Sequence, residues 1–296
     1  MPAGVCGRAS PRLVITGMGC KIAGMTEISI VICCVNCHGT IEQACRSAQW
    51  ADELIVIDSG SDDGTAQIAQ KYADRFMVEP WRGHTGQKRF AADVCSHDWV
   101  FFLDGDEECS AQLASELASM SDEQIADCDL LLVPRRNYVM GRYVRSWWPD
   151  YLTRIFHRRR CTWTDQVLHD TRTASHPSRV RKLRGWLIHK KHSEAGFADY
   201  FSGSRLDERL LDVARQMHRQ GRRCSMLDLL LRPMFAFIKF FVLKRGLLDG
   251  SFGLLIAQKA AVSTQLKYAA LWAVQHGKAN TVVSVEYDDH SSQRSV

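Results

Sequence analysis

From Ile28 onward, short apolar runs alternate with stretches of helical character, and this rhythm constrains the chain more than any other feature. The run Ile28-Ser-Ile-Val-Ile-Cys33 precedes a helical stretch from Thr40 to Ala48. Leu54-Ile-Val-Ile57 follows, then a turn-rich Asp58 to Gly64 and a helix over Thr65 to Tyr72. Phe76-Met-Val78, a helix near Gln87 to Cys95 and Trp99-Val-Phe-Phe-Leu103 continue the series. Short apolar strands separated by helices predict parallel pairing with right-handed crossovers, hence a mostly parallel α/β sheet with flanking helices. Such sheets bind ligands beyond the carboxyl ends of their strands.

After Pro134 the rhythm breaks. A stretch rich in Arg, Trp and Tyr runs to about Asp170, a strand-like segment covers Val180 to Ile188, and Phe197 to Gln275 reads as mostly helix. The predicted organisation is a loose extension over 1–26, an α/β domain over 27–192, a helical extension over 193–279 and a polar tail over 280–296. The first residues lack the apolar core and cleavage pattern of a signal peptide, and Met25 is an alternative start. With 296 residues, 46% of them hydrophobic, a core needs no disulfide staples. Eleven scattered cysteines read as free thiols in a reducing compartment. Cys34-Val-Asn-Cys37 resembles a redox pair only superficially, because such a protein has no use for the acidic turns nearby.

Charge divides the chain as sharply as hydropathy does. Nine basic side chains face twenty acidic ones up to Pro134, and 29 face 13 after it. A basic half of that size points to an anionic partner. Nucleic acid is excluded as the leading candidate, since no helix-turn-helix, zinc-finger or RNA-binding signature accompanies the basic residues.

The acids fall where strands end. Asp104-Gly-Asp-Glu107 follows the run ending at Leu103, and Asp58 to Asp63 follows the one ending at Ile57. Asp104 and Asp106 are two apart, so on extended backbone they share a side, with Gly105 leaving room for a ligand. Hard oxygen donors at that spacing suit Mg²⁺ or Mn²⁺ carrying a diphosphate; the plainer reading is a solvated acidic turn. Two acidic loops on one rim favour the nucleotide site.

Together these residues resemble the inverting family 2 glycosyltransferases with the GT-A fold. The likeness rests on the strand leading to Asn36, on Asp58-Ser-Gly-Ser-Asp-Asp-Gly-Thr65, and on Asp104-Gly-Asp-Glu107. Within the family it is similar to the lipopolysaccharide inner-core glucosyltransferases. The landmarks are Trp81-Arg-Gly-His-Thr-Gly-Gln-Lys88, Gly141-Arg-Tyr143, Trp148-Pro-Asp-Tyr151, Arg154-Ile-Phe156, Val167-Leu-His-Asp170 and Arg245-Gly-Leu-Leu-Asp-Gly250. The resemblance implies a nucleotide-sugar donor held by Cys33, Asn36, Asp58, Ser59, Lys88 and Asp104. Asp58 would lie beside the uridine and Lys88 near the diphosphate. A divalent metal, Mg²⁺ or Mn²⁺, would sit at Asp104 and Asp106, with His189 adjacent. Cys33 stands where many relatives carry threonine, and Ser59 where many carry aspartate. A catalytically silent relative that only binds a sugar nucleotide is the alternative.

Inverting transfer needs a carboxylate that takes the acceptor hydroxyl's proton. Asp170, following His169, matches the subgroup's position and is favoured over Asp150, which would then orient the acceptor. Arg135 to Arg160 holds eight arginines and one acid, interleaved with Trp147, Trp148 and Tyr151. Arginine forks bind phosphate and aromatic faces pack on sugar rings, so a phosphorylated or lipid-linked saccharide acceptor is read here, touching Arg142, Trp148, Asp150, Tyr151 and Arg154. Met226 to Leu243 is apolar, yet Asp228, Arg232, Pro233 and Lys239 argue against a membrane crossing. It reads either as a helix lying on an anionic membrane surface, which would place the protein peripherally on the inner face of the cytoplasmic membrane, or as a core helix packed on the sheet.

Overall fold

The computed structural model describes residues 26–164, 171–192 and 208–277. Its centre is a ten-stranded sheet of mixed direction. Strands β1 (Ile28–Cys34), β2 (Glu53–Asp58), β3 (Arg75–Val78) and β4 (Trp99–Asp104) are all parallel, in the order β3-β2-β1-β4. Both faces of β1 and β2 are buried, which is why they read as continuous apolar runs without alternation. Helices α1 (Ile41–Ala48), α2 (Thr65–Ala69) and α3 (Gly83–Asp93) connect them. In α1, Ile41, Ala44, Cys45 and Ala48 fall on one stripe and are buried against the sheet.

Beyond β4 the sheet changes character, and antiparallel strands join the parallel ones. A three-residue β5 (Glu107–Cys109) leads to α4 (Ala111–Ala118) and a short α5 (Asp122–Ile125). Strands β6 (Leu130–Val139), β7 (Arg142–Tyr143) and β8 (Asp150–His157) follow. β8 runs antiparallel to both β4 and β6. A separate antiparallel pair, β9 (Thr162–Thr164) and β10 (Thr171–Thr173), precedes β11 (Val180–Lys182) and β12 (Leu187–His192). The segment expected as one strand over Val180 to Ile188 is thus two. Gly185 sits at the break, where a Cβ would stand 2.3 Å from the Leu113 backbone, so only glycine lets the connection lie on α4. β12 pairs parallel with β6 and antiparallel with β5, bringing His189 opposite both Asn137 and Glu107.

The last elements are α6 (Glu208–Arg219), α7 (Met226–Ile238), a π-helical turn over Lys239–Leu243, a 3₁₀ turn over Gly246–Asp249 and α8 (Gly250–Gln275). Ser225 and Asp228 form a capping box at the start of α7. Ala214, Met217, Tyr268 and Leu271 make a small core between α6 and α8. Phe252 and Ile256 of α8 pack on Val139 and Val144, joining this helical region to the sheet. α8 crosses the 3₁₀ turn at Gly253, where a Cβ would fall 1.8 Å from the Gly246 carbonyl oxygen.

The core-helix reading of Met226 to Leu243 does not hold, because α7 lies on α8 and turns its apolar side outward. Leu227, Leu230, Met234 and Phe235 are exposed, Phe235 by 60%. No helix among the described residues is long and apolar enough to cross a membrane.

Candidate active site

The carboxyl ends of β1, β2 and β4 meet α3 and β12 around a cleft of about 410 Å³. Cys33, Ser59, Lys88, Asp104, Asp106 and His189 line it, together with Trp81, Gln87, Gly105 and Arg135. These strand ends belong together because β1 pairs with β2 on one side and β4 on the other, setting Cys33 beside Ile57 and Asp104.

Asp58 and Asn36 are not among the lining residues. Asp58 is buried and its carboxylate accepts from the Ser61 amide at 2.9 Å and from the Ser61 hydroxyl. Asn36 adopts positive φ, its amide donating to Ser61 Oγ at 2.9 Å while its side chain accepts from the Asp62 amide. Both residues therefore brace the acidic loop that carries Ser59 into the cleft. Asp63 caps the same loop, accepting from the His38 and Thr65 amides, and the Thr65 hydroxyl holds its carboxyl below the usual range. Gly105 also has a packing reason: a Cβ there would meet Cys37 Sγ at 3.0 Å and Cys34 Cβ at 3.1 Å. Burial, and then the neighbouring Asp58 charge, push the Cys34 thiol far up, so it is an inert packing group and not a redox thiol.

Asp104 is only partly exposed, and both its oxygens meet the Arg154 guanidinium, Oδ1 at 3.2 Å from Nη1 and Oδ2 against Nη2. Burial opposes its ionisation, but Arg154 and Lys88 outweigh that and hold the carboxyl well below the ordinary range. Arg154 itself is buried, so the expectation that it touches the acceptor is replaced by an internal role. Its Nη2 also reaches Glu107 Oε1 at 2.8 Å, and burial of the guanidinium is outweighed by these two carboxylates, which raise its pKa.

From Glu107 the network continues. Arg135 Nη1 donates to Glu107 at 3.0 Å, and its Nε and Nη2 reach Asp150 Oδ2 at 3.1 and 2.9 Å. Asn137 Nδ2 also donates to Asp150, at 3.1 Å. Asn137 Oδ1 lies 2.8 Å from His189 Nδ1, and His189 Nε2 lies 3.6 Å from Asp106 Oδ2. A nearly closed ring thus runs from Asp104 through Arg154, Glu107, Arg135, Asp150, Asn137 and His189 to Asp106. Sequence reasoning missed Glu107, Arg135 and Asn137. Their only signal was type, a buried acid beside two others and one arginine among eight, since their partners lie 13 to 52 residues away.

This ring supplies the test for a metal. With Asn137 Oδ1 as acceptor, the proton sits on His189 Nδ1 and Nε2 presents a lone pair to the Asp106 carboxylate. Two electron-pair donors facing one another at 3.6 Å suit a shared divalent cation. Asp104, turned to Arg154, keeps unused lone pairs but does not join them in a tight cluster; among the described residues no three such donors are gathered together.

Of the remaining sequence candidates, Trp148 and Tyr151 are exposed near the start of β8, and Arg142 lies over the Phe252 ring at 4.7 Å. Asp170 lies outside the described residues.

The chain is thus a mixed α/β sheet with flanking helices, a cleft at its strand ends and a helical C-terminal region. Residues 29–182 match Glycosyl transferase family 2, and the chain belongs to that family. An uncharacterized glycosyltransferase of Rickettsia bellii is 27% identical over 258 residues, 83% of this chain and 86% of that one. The lipopolysaccharide core biosynthesis glycosyltransferase LpsC of Rhizobium meliloti is 39% identical over 122 residues, 38% of this chain and 44% of LpsC. S. aureus TarS residues 1–349 in complex with UDP-GlcNAc is 14% identical with a TM-score of 0.41, over 86% of this chain and 93% of that one, a likeness too loose to carry an inference.

Proposed function

We propose that this glycosyltransferase moves a hexose, glucose from UDP-glucose, to a saccharide acceptor of the lipopolysaccharide core class by inverting displacement. The observation that carries this reading is the cleft at the ends of β1 and β4, where Lys88 and Arg135 face Asp104, Asp106 and His189. The partial match to LpsC supports the acceptor class.

In this reading Cys33 and Ser59 flank the nucleoside, with Asp58 and Asn36 fixing their loop, and Lys88 neutralises the diphosphate. Asp106 and His189 would hold a divalent cation, Mg²⁺ or Mn²⁺, which when bound offsets charge developing on the leaving diphosphate. Asp104 stays ionised at neutral pH because Arg154 pins it, and it orients the donor from the same rim. Glu107 keeps Arg154 and Arg135 in place beneath the cleft. Asp170 is the proposed base. Asp150, bonded to Arg135 and Asn137, is the described carboxylate on the acceptor side and would orient the acceptor.

The division into a catalytic domain over 27–192 and a helical extension from 193 belongs to this proposal. So does peripheral attachment to the inner face of the cytoplasmic membrane. The exposed Leu230, Met234 and Phe235 of α7, edged by Lys239 and Lys244, support a surface that lies on anionic lipid. A hydrolysis screen of UDP-, GDP- and dTDP-sugars with and without Mn²⁺ tests donor and class together. UDP-glucose turnover that needs the metal and vanishes in Asp106→Asn is the expected result; metal-independent turnover, or none with any donor, contradicts it.

A further inference from the structure

We propose that the outward face of β6 and β8 is a binding platform for an anionic saccharide, with the Arg136 guanidinium as charge anchor and Trp148 as stacking surface. The inference rests on the reading of the chain as a transferase with a saccharide acceptor, and it names the charge of a part of that acceptor held away from the reacting hydroxyl, around the sheet end from Asp150.

Of the eight arginines between Arg135 and Arg160, six reach carboxylates of the described residues. Arg136 does not. No hydrogen bond or ion pair of its guanidinium occurs among the described residues, and its Nε is shut from solvent with no partner. Three aromatic rings surround it: the Trp186 centroid lies 3.7 Å from Cζ, Trp148 at 5.3 Å and Tyr143 at 5.8 Å. The rings stabilise the cation through their faces, yet they supply no anion. A half-buried guanidinium without a counter-ion is an incomplete arrangement, and a carboxylate or phosphate meets its planar fork bidentately.

Strand geometry separates this place from the donor cleft while tying the two together. Arg135 lines the cleft, and Arg136, the next residue on β6, points to the opposite face. Tyr151 pairs with Pro134 and so shares the face of Arg136. It is exposed, with Lys182 Nζ 4.9 Å from its ring centroid. Trp148 is 37% exposed, which leaves ring surface open beside the Arg136 charge. Apolar ring faces next to unpaired cations suit a sugar carrying a negative group better than a neutral sugar or a bare anion.

Saturation-transfer NMR on the full chain reads the platform, with glucose 6-phosphate, glucuronate, glucose and inorganic phosphate as probes; UDP read the same way reports the donor cleft. The expected result is transfer to one or both anionic sugars, with glucose and phosphate weaker by about tenfold or more. Which anionic sugar binds tells phosphate from carboxylate. Arg136→Gln should lose that binding while keeping UDP, and Trp148→Ala and Lys182→Gln should each weaken it. A chain that binds UDP yet gives no transfer to either anionic sugar overturns the platform and leaves the transferase reading standing; anionic sugar binding without UDP binding does the reverse. Equal binding of glucose and glucose 6-phosphate also overturns it. Should Arg136→Gln lose UDP as well, as a misfolded chain would, the two exposed variants decide: unaltered sugar binding in both contradicts the proposal.

Discussion

Asn137 occupies a position where one amide serves two carboxylate-linked groups, donating to Asp150 and accepting from His189. Fixing the imidazole tautomer is its proposed contribution to the cation site, since outer partners of metal-bound histidines typically change metal affinity 10- to 100-fold. Asn137→Ala should therefore raise the Mn²⁺ concentration needed for half-maximal activity by about that factor, read from a metal titration at saturating donor. Glu53 illustrates a different use of a buried acid. Burial disfavours its charge, but hydrogen bonds from Ser29, Ser96 and Arg75 prevail and lower the carboxyl to about 2. A depressed folded pKa means the stabilisation is present above the unfolded value, about 4.3, and is lost as pH falls toward 2. Glu53→Gln should cost roughly 3 kcal/mol at pH 7 and almost nothing at pH 2, measured by denaturant melts at both pH values.

Among the elements, the strands legible in the sequence are those with an apolar run of their own, β3 included although its Arg75 and Val78 are exposed. Ile28–Cys34, Glu53–Asp58 and Trp99–Asp104 carry local apolar runs that no other structure explains. β5 was not legible, because Glu107-Glu-Cys109 has no apolar pattern and exists as a strand only through pairing with β12. Helix α3 begins at Gly83, four residues before the sequence signal, since its first turn carries no apolar pattern; Gln87 and Lys88 of the next turn line the cleft. The same limit applied to the site: the strand-end acids and the arginine-rich segment were visible, and the pairing of Arg154 with Asp104 and of Arg135 with Glu107 was not. Packing at the 3₁₀ turn permits a sharp test. Gly253→Ala sets a Cβ against the Gly246 carbonyl, so α8 must shift; a loss of about 1–3 kcal/mol is expected, read as a Tm lowered by several degrees. On α7, Leu230→Glu with Phe235→Glu should abolish binding to anionic vesicles. Lys239→Gln with Lys244→Gln should weaken it and reduce its salt sensitivity, both followed by vesicle sedimentation.

At the scale of the molecule, the charge asymmetry of the sequence finds its place. Acidic strand ends of the first half and basic side chains of the second meet across the Asp104, Arg154, Glu107 and Arg135 contacts, so the two halves of the sheet are joined by buried ion pairs where the donor would bind. The helical region is anchored to the sheet through Val139, Val144, Phe252 and Ile256, and it leaves the apolar side chains of α7 exposed. In the proposed function this rim binds a nucleotide diphosphate through a cation held by Asp106 and His189. Calorimetry of UDP binding with and without Mn²⁺, on the native chain and on Asp106→Asn, tests it most directly. Mn²⁺ should tighten UDP binding by at least about tenfold in the native chain and not in the variant; UDP affinity indifferent to Mn²⁺ in the native chain would rule out a cation at Asp106 and His189.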